Sequence, residues 1–233
     1  MVVRVDLERP KNKDEGFVQA DGARLPFSSG CFDAIISNHS LEHMRELACV
    51  LAEIGRVIKP GGALYVAVPD ASTFSDWLYR WVYHGGGHVN PFRSRAALAG
   101  VITTATSLPL VASRDLATSF GFLERRFFHP RPPRRMWVFA NGNRTFIVWM
   151  GYLARLLDRV FGTRWSAYGW AMYFGRLQEP VETAMWRNVC VTCGSASPAD
   201  ALVEAGCVHG QLWWKSYVCP ACGDWSLFTR DWG

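Results

Sequence analysis

The stretch FVQADGARLPFSSGCFDAIISNHSLEHMRELACVLAEIGRVIKPGGALYVAVP, Phe17 to Pro69, alternates apolar runs with turn residues in an order that implies a parallel sheet with crossover helices. Phe17 to Ala20 reads as a short strand ending at Asp21, and Gly22 to Phe27 as the loop after it. Ser28-Ser29-Gly30 supplies a turn into Phe32 to Ser37, where four apolar residues in six predict a strand buried on both faces. Leu47, Val50, Leu51, Ile54, Val57 and Ile58 then recur at three- and four-residue intervals, the period of a helix laid on one face of a sheet. Lys59-Pro60-Gly61-Gly62 stops that helix, and Ala63 to Val68 is a second buried strand.

Three blocks of this stretch resemble the class I S-adenosylmethionine-dependent methyltransferases, in the branch with a compact Rossmann-like catalytic domain. They are Asp21-Gly22-Ala23-Arg24-Leu25-Pro26-Phe27, Phe32-Asp33 leading to Ser37-Asn38-His39-Ser40-Leu41-Glu42-His43, and Glu53-Ile54-Gly55-Arg56-Val57-Ile58-Lys59-Pro60-Gly61-Gly62. The resemblance implies that Asp21 ends the family's third strand beside the adenine amino group of the cofactor, with Gly22 and Ala23 lining the same pocket. It places Asn38 and His39 at the methionine part, and Glu42 and His43 toward the substrate. Upstream, Val2 to Leu7 looks like the second strand, whose terminal Asp6 would take the ribose hydroxyls, since one carboxylate accepts two hydroxyl hydrogen bonds. A plainer reading leaves Asp6 and Asp21 as loop acids at strand ends.

The chain also departs from the family. A strand, a glycine-rich turn and a helix are expected before Asp6, yet Met1 directly precedes the second strand. By resemblance the missing strand is central, between the second and fourth. Its loss would leave buried ladder groups unpaired, at roughly 1 to 3 kcal/mol each, or force those strands together. Either the start of the chain is incomplete, or the sheet has closed around a degenerate cofactor site. Gly85-Gly86-Gly87 follows the fifth strand and is no substitute for the glycine turn.

That tract runs into His88-Val89-Asn90-Pro91-Phe92, which looks like the family's cap over the substrate pocket. The sulfonium of the cofactor is already activated, so methyl transfer asks mainly for alignment, and for a base only when the acceptor must lose a proton. His39, His43 and His88 are the catalytic candidates, and the sequence does not choose among them.

From Ala96 to Ser113 there are eighteen residues without charge. Thr103, Thr104, Thr106, Ser107 and Pro109 make a poor membrane span, so a buried helix followed by a loop is expected. The segment starting at Gly121-Phe122 resembles the family's sixth strand, and Ser166 to Gly175 its seventh, which in the family pair at the sheet edge. Between them lies an insertion at about 125–165. Arg125, Arg126, Arg131, Arg134 and Arg135 flank a proline-rich turn, and Phe146 to Phe161 forms a helix with Trp149, Met150, Tyr152, Leu153, Leu156 and Leu157 on a wide apolar face. Arg155, Asp158 and Arg159 share its polar stripe. Such a face needs a cover: the core, a second copy, a membrane interface suited to nearby arginines and tryptophans, or a lipid-linked acceptor.

Cys190-Val191-Thr192-Cys193-Gly194 and Cys219-Pro220-Ala221-Cys222-Gly223 are two knuckles separated by 25 residues. Four thiolates close a tetrahedral zinc site, and the glycine after each knuckle relieves its tight turn. The segment resembles a zinc ribbon. Disulfides are the rival reading, but no signal peptide is visible, and Cys31, Cys49 and Cys207 sit in sequence expected of reduced thiols. Four cysteines leave no open position for water, so the zinc is expected to be structural.

The expected organisation is thus an α/β, Rossmann-like methyltransferase sheet without its first strand and glycine loop over residues 1–180, joined near Gln178-Glu179-Pro180 to a zinc-ribbon-like module over 186–233. Length and composition suit it: 233 residues, 49% hydrophobic, hold one sizeable domain and a small one. A net charge of +5 is too small, without a clustered stripe, to indicate nucleic acid. The functional expectation is an S-adenosylmethionine-dependent methyltransferase with an unidentified small-molecule or lipid-linked acceptor. The alternative is a non-catalytic scaffold or adaptor that binds a protein, membrane or nucleic acid through the zinc module and the aromatic insertion. A cytoplasmic location, with a peripheral membrane or homodimer contact through 146–161, accompanies the first reading.

Overall fold

The computed structural model describes residues 2–9, 16–83, 87–127, 134–177, 181–210 and 215–230. In chain order the elements are β1 (Arg4–Asp6), β2 (Phe17–Gln19), β3 (Phe32–Asn38), α1 (Leu47–Val57), β4 (Ile58–Pro69), α2 (Phe74–Val82), α3 (Arg95–Thr106), β5 (Leu110–Ala117), α4 (Arg144–Phe161), β6 (Ala167–Gly175), β7 (Asn188–Val189), β8 (Ala196–Ser197), α5 (Ala199–Glu204), β9 (Val208–His209), β10 (Ser216–Val218) and β11 (Trp225–Leu227). They form two compact units, one of residues 1–69, 88–113 and 170–182, the other of 70–87, 114–169 and 183–233. Gly85-Gly86, the proline-rich turn with Arg131, and Gln178-Glu179-Pro180 lie outside the described residues.

In the first unit β1 and β2 pair in parallel as a sheet of their own, while β3 and β4 pair in parallel within a second sheet of order β3-β4-β6-β5. The strands expected to flank the missing central strand are therefore not forced together. They belong to separate sheets, and β3 is an edge strand among the described residues. This corrects the expectation that Phe32 to Ser37 is buried on both faces: only Ser37 is buried, and Ile36 is 75% exposed. An apolar run acquires two covered faces only when neighbours exist on both sides of the sheet.

β4 has them, and Leu64, Val66, Ala67 and Val68 are buried along it. It starts earlier than expected, at Ile58. Between the pairs Phe32↔Ile58 and Ala34↔Ala63, four residues of β4 lie opposite one of β3, so Lys59-Pro60-Gly61-Gly62 ends α1 and then forms a bulge in the strand. α1 buries Val50, Leu51, Ile54 and Val57, the face its periodicity predicts. It crosses α3 so closely that a Cβ on Gly55 would stand 2.4 Å from the Ala105 carbonyl oxygen, which explains a glycine inside a helix. These elements, with Leu98, Ile102, Trp170, Met172 and Phe174, make one core.

The uncharged stretch begins with the expected helix, α3, capped by Ser94 and ended by Ser107 in the left-handed region at φ 58°. The chain beyond Ser107 then enters β5 instead of the expected loop. The segment from Gly121, expected as the sixth strand, forms 3-10 turns at Gly121–Leu123 and Arg125–Phe127. β5 takes the place beside β6 that the resemblance assigned to that segment. Composition favoured the later aromatic run, but the sheet edge tolerates the more polar LVASRDLA.

In the second unit α4 is capped by Asn143, whose side chain accepts from the Phe146 amide, and stopped by Gly162 at φ 64°. Its orientation departs from the expected one in part: Met150 and Tyr152 pack on the core and Arg159 is exposed, but Arg155 and Asp158 are buried. Arg155, 5% exposed, donates to Thr229 Oγ1 and to the Leu227 and Arg187 carbonyls, and Asp158 accepts from Thr163 Oγ1, Ser166 Oγ and the Trp165 and Ser166 amides. Phe146, Trp149, Leu153, Leu156 and Val160 lie exposed in a three-four-three-four spacing. Two residues of the stripe are turned inward, Arg155 because it tethers the carboxyl-terminal chain and Asp158 because it gathers the turn after the helix; burial of a charged group is tolerated when its hydrogen-bonding capacity is filled. No helix among the described residues is long and apolar enough to cross a membrane.

Candidate functional site

Two clamps hold the first unit's loops, one beside the amino ends of β3 and β4 and one after the carboxyl end of β3. In the first, Glu53 Oε2 accepts the Leu25 amide at 2.7 Å, and Arg56, doubly bonded to Glu53 at 2.7 and 2.8 Å, donates to the carbonyls of Phe27 and Leu25 at 2.7 and 3.0 Å. The hydrogen bonds from Arg56 hold the Glu53 carboxyl down to about 2. Thus two of the blocks that carry the family resemblance, Asp21 to Phe27 and Glu53 to Arg56, hold each other. The i, i+3 acid-base pair was the sequence signal for this role, which reading the loops alone missed.

The first clamp fixes the loop that starts at Asp21. Asp21 Oδ1 accepts the Ala23 amide at 2.9 Å, an Asx turn, and Asp6 Oδ1 accepts the Glu8 amide at 3.1 Å. The Ala20 amide donates to the Asp6 carbonyl, so both carboxylates stand at the same end of one parallel pair. Gly22 faces Val50 and Met44, and Ala23 packs on the core. Asn38 and His39 end the edge strand of the other sheet.

The second clamp joins the 88–90 segment to the turn after β3. The amides of Val89 and Asn90 both donate to the Glu42 carbonyl, at 2.8 and 3.0 Å, and the Asn90 side chain donates to the carbonyls of Leu41 and Met44 at 2.9 and 2.6 Å. His43 and His88 consequently meet edge to face with ring centroids 4.9 Å apart. His39 Nδ1 lies 3.8 Å from the Glu42 carboxylate. His39 is held in the left-handed region at φ 50°, rare for a residue with a Cβ, with its backbone N–H donating a hydrogen bond to the Ala67 carbonyl. Burial, with the nearby His88 and His43 adding to it, pushes the His39 imidazole down to about 4, so it is neutral at pH 7. The three histidines named from sequence are thus brought together; Asn90, which sets their spacing, was not among them.

A third assembly lies in the second unit. The amides of Gly194 and Gly223 donate to the carbonyls of Cys190 and Cys219, and the amides of Cys190 and Cys219 donate to the carbonyls of Ser195 and Asp224, so the two knuckles are copies of one turn. Both glycines are left-handed, at φ 74° and 77°. Cys190 Sγ and Cys222 Sγ are 3.6 Å apart, as are Cys193 Sγ and Cys219 Sγ, and all four sulfurs lie within 4.8 Å of one another. A disulfide needs about 2.05 Å. A tetrahedral ion with bonds of about 2.3 Å needs edges of roughly 3.8 Å, which these thiols approach, so they are able to hold a metal.

Residues 2–66 match the family described as "Methyltransferase domain". Among curated proteins, the chain is 40% identical over 61 residues to a demethylmenaquinone methyltransferase of Corynebacterium glutamicum, covering 26% of each protein. It is 38% identical over 73 residues to one of Renibacterium salmoninarum, covering 31% of this chain and 30% of that protein. The chain therefore spans about a third or less of the length of these relatives. Among solved structures, Burkholderia thailandensis 1,6-didemethyltoxoflavin-N1-methyltransferase is similar at 14% identity and a TM-score of 0.41, covering 75% of this chain and 60% of that one. That likeness is too slight to carry an argument about function. It is the segment from residue 2 to residue 66, with both acidic strand ends and the first clamp, that is similar to the methyltransferase-domain family.

Proposed function

We propose that the first unit is the cofactor-binding part of an S-adenosylmethionine-dependent methyltransferase acting on a small, quinone-like acceptor. The family match over residues 2–66, laid over a loop that Glu53 and Arg56 hold in place, is the observation that carries this reading. The relatives' names, demethylmenaquinone methyltransferase, support the acceptor class.

In this reading Asp6 receives the ribose hydroxyls, Asp21 the adenine amino group, Gly22 and Ala23 the adenine ring, and Asn38 with His39 the methionine end. The two strand-end carboxylates suit the adenosyl group, because each sits exposed at the same edge with its backbone already fixed. When bound, the sulfonium supplies an activated methyl group. The chain's own part is to orient the acceptor and, where that must lose a proton, to take it up; His39, beside His43 and His88, is neutral at pH 7, but burial pushes it down to about 4 and makes it a weak base.

We also assign zinc, in a structural role, to Cys190, Cys193, Cys219 and Cys222, with residues 186–233 as a ribbon-like module. Metal analysis is expected to find sulfur-bound zinc, and substitution of Cys193 by serine to release it. A tail that stays folded without metal refutes the assignment.

A second reading, a non-catalytic adaptor, is favoured by the exposed row from Phe146 to Val160, which an apolar partner surface would cover. Calorimetric titration separates the two. S-adenosylmethionine or S-adenosylhomocysteine should release heat in the first case and none in the second. Asp21→Ala should weaken binding more than about tenfold, a loss of about 1.4 kcal/mol; unchanged binding rejects the adenine site.

A further inference from the structure

From the second clamp we infer that Glu42, His43 and His88 form a binding site for one divalent first-row transition ion, separate from the four cysteines and independent of whether the chain transfers methyl groups. Each residue offers one donor atom, a carboxylate oxygen and two imidazole nitrogens, and these lie within 4.8 Å of one another. Rotations that move the donors by about an ångström reach the roughly 3.4 Å edges of a tetrahedral site with bonds of about 2.1 Å.

Three further observations favour an ion here. First, the Glu42 side chain is 1% exposed, so its carboxylate is a ligand oxygen shielded from competing bulk water. Second, the donors come from segments about 45 residues apart in sequence, and four hydrogen bonds from Val89 and Asn90 hold those segments in register before any ligand arrives. Such backing of the donors by fixed main chain is what a metal site requires. Third, His43 is exposed and His88 half-buried, so one side of the site opens to water and an ion held by three side chains keeps a position for an exogenous ligand. His39 Nδ1, 3.8 Å from the same carboxylate, stands next in line as a donor.

Two imidazoles and a carboxylate select by chemistry. Zinc, ferrous iron, cobalt and nickel accept that mixture, whereas magnesium and calcium prefer oxygen alone.

The test is a cobalt(II) titration of full-length protein whose cysteine site has first been loaded with zinc. The expected result is one further equivalent bound, with visible ligand-field bands and without the intense sulfur-to-cobalt charge transfer that cysteine ligation produces. His43→Asn and His88→Gln, both at surface-accessible positions, should each weaken this second site more than about tenfold while leaving zinc at sulfur untouched. A thermal melt and circular dichroism spectrum like those of the wild-type protein report that a variant's first unit is folded, and retained zinc at sulfur that its second unit is. Absence of a second equivalent in the wild-type protein overturns the inference without recourse to variants. So does a second equivalent that the double variant binds as tightly, or one whose spectrum shows sulfur ligation.

Discussion

β3 and β4 are hydrogen-bonded neighbours of similar apolar content, yet β4 is buried along most of its length while β3 leaves Ile36 largely in water. The difference is one of position. β4 has a strand on each side and the core helices over it; β3 ends its sheet. The two faces of α4 repeat the lesson: charged Arg155 is inside because it holds three acceptors, and apolar Leu153 is outside because no described residue of its unit covers it. Burial follows neighbours, and composition sets only what burial would be worth.

Substitutions across the two strands test this most strongly. Leu64→Ala should lower the unfolding free energy by about 2 to 5 kcal/mol in denaturant titrations, because Leu64 is buried in the first unit's core. Ile36→Ala should cost less than about 0.5 kcal/mol. Equal losses would show that β3 is covered in solution and break the comparison.

The faces of α4 come next. Arg155→Ala strands carbonyl and hydroxyl acceptors and should cost about 1.5 to 3 kcal/mol, with loss of hydrogen-exchange protection around Leu227 to Thr229. Leu153→Ser should be near neutral by the same measure. If Leu153→Ser proves the worse, the exposed row is covered by something in solution.

Gly55→Ala sharpens the inner side of α1. The added Cβ meets main chain and not a side chain that could swing away, so a loss of about 1 to 3 kcal/mol is expected despite the higher helix propensity of alanine.

The smallest effect is electrostatic. Glu53 has its carboxyl lowered from 4.5 to about 2 in the folded chain by Arg56. A lowered folded value contributes stability that is present above about pH 4.5 and drains away as pH falls toward 2. Glu53→Gln should remove that part of the acid dependence in thermal melts at graded pH. The pair is partly exposed and screened by salt, so the change is modest.

Much of the architecture was legible. The period of α1, the strands around Val18, Ile35 and Val66, the helix through Phe146 to Phe161 and the two knuckles all rest on local spacing, and local spacing survives folding intact. β5 was misplaced because Gly121 to Phe127 is the more strand-like composition, and only the available sheet edge chose Leu110 to Ala117 instead. The His43–His88 contact was invisible as geometry, since Asn90 creates it through carbonyls that carry no side-chain signature.

The amino-acid sequence by itself determined most of the strands, the periodic face of α1 and the spacing within each cysteine knuckle, because these depend on residues within a few turns of one another. Tertiary structure alone decided that β3 stands at an edge, that Leu110 to Ala117 joins the sheet, that α4 turns Arg155 and Asp158 inward, and that the histidines from two distant segments meet. Those outcomes depend on which partners are present across the sheet and beneath the helix, a long-range fact that no local pattern encodes.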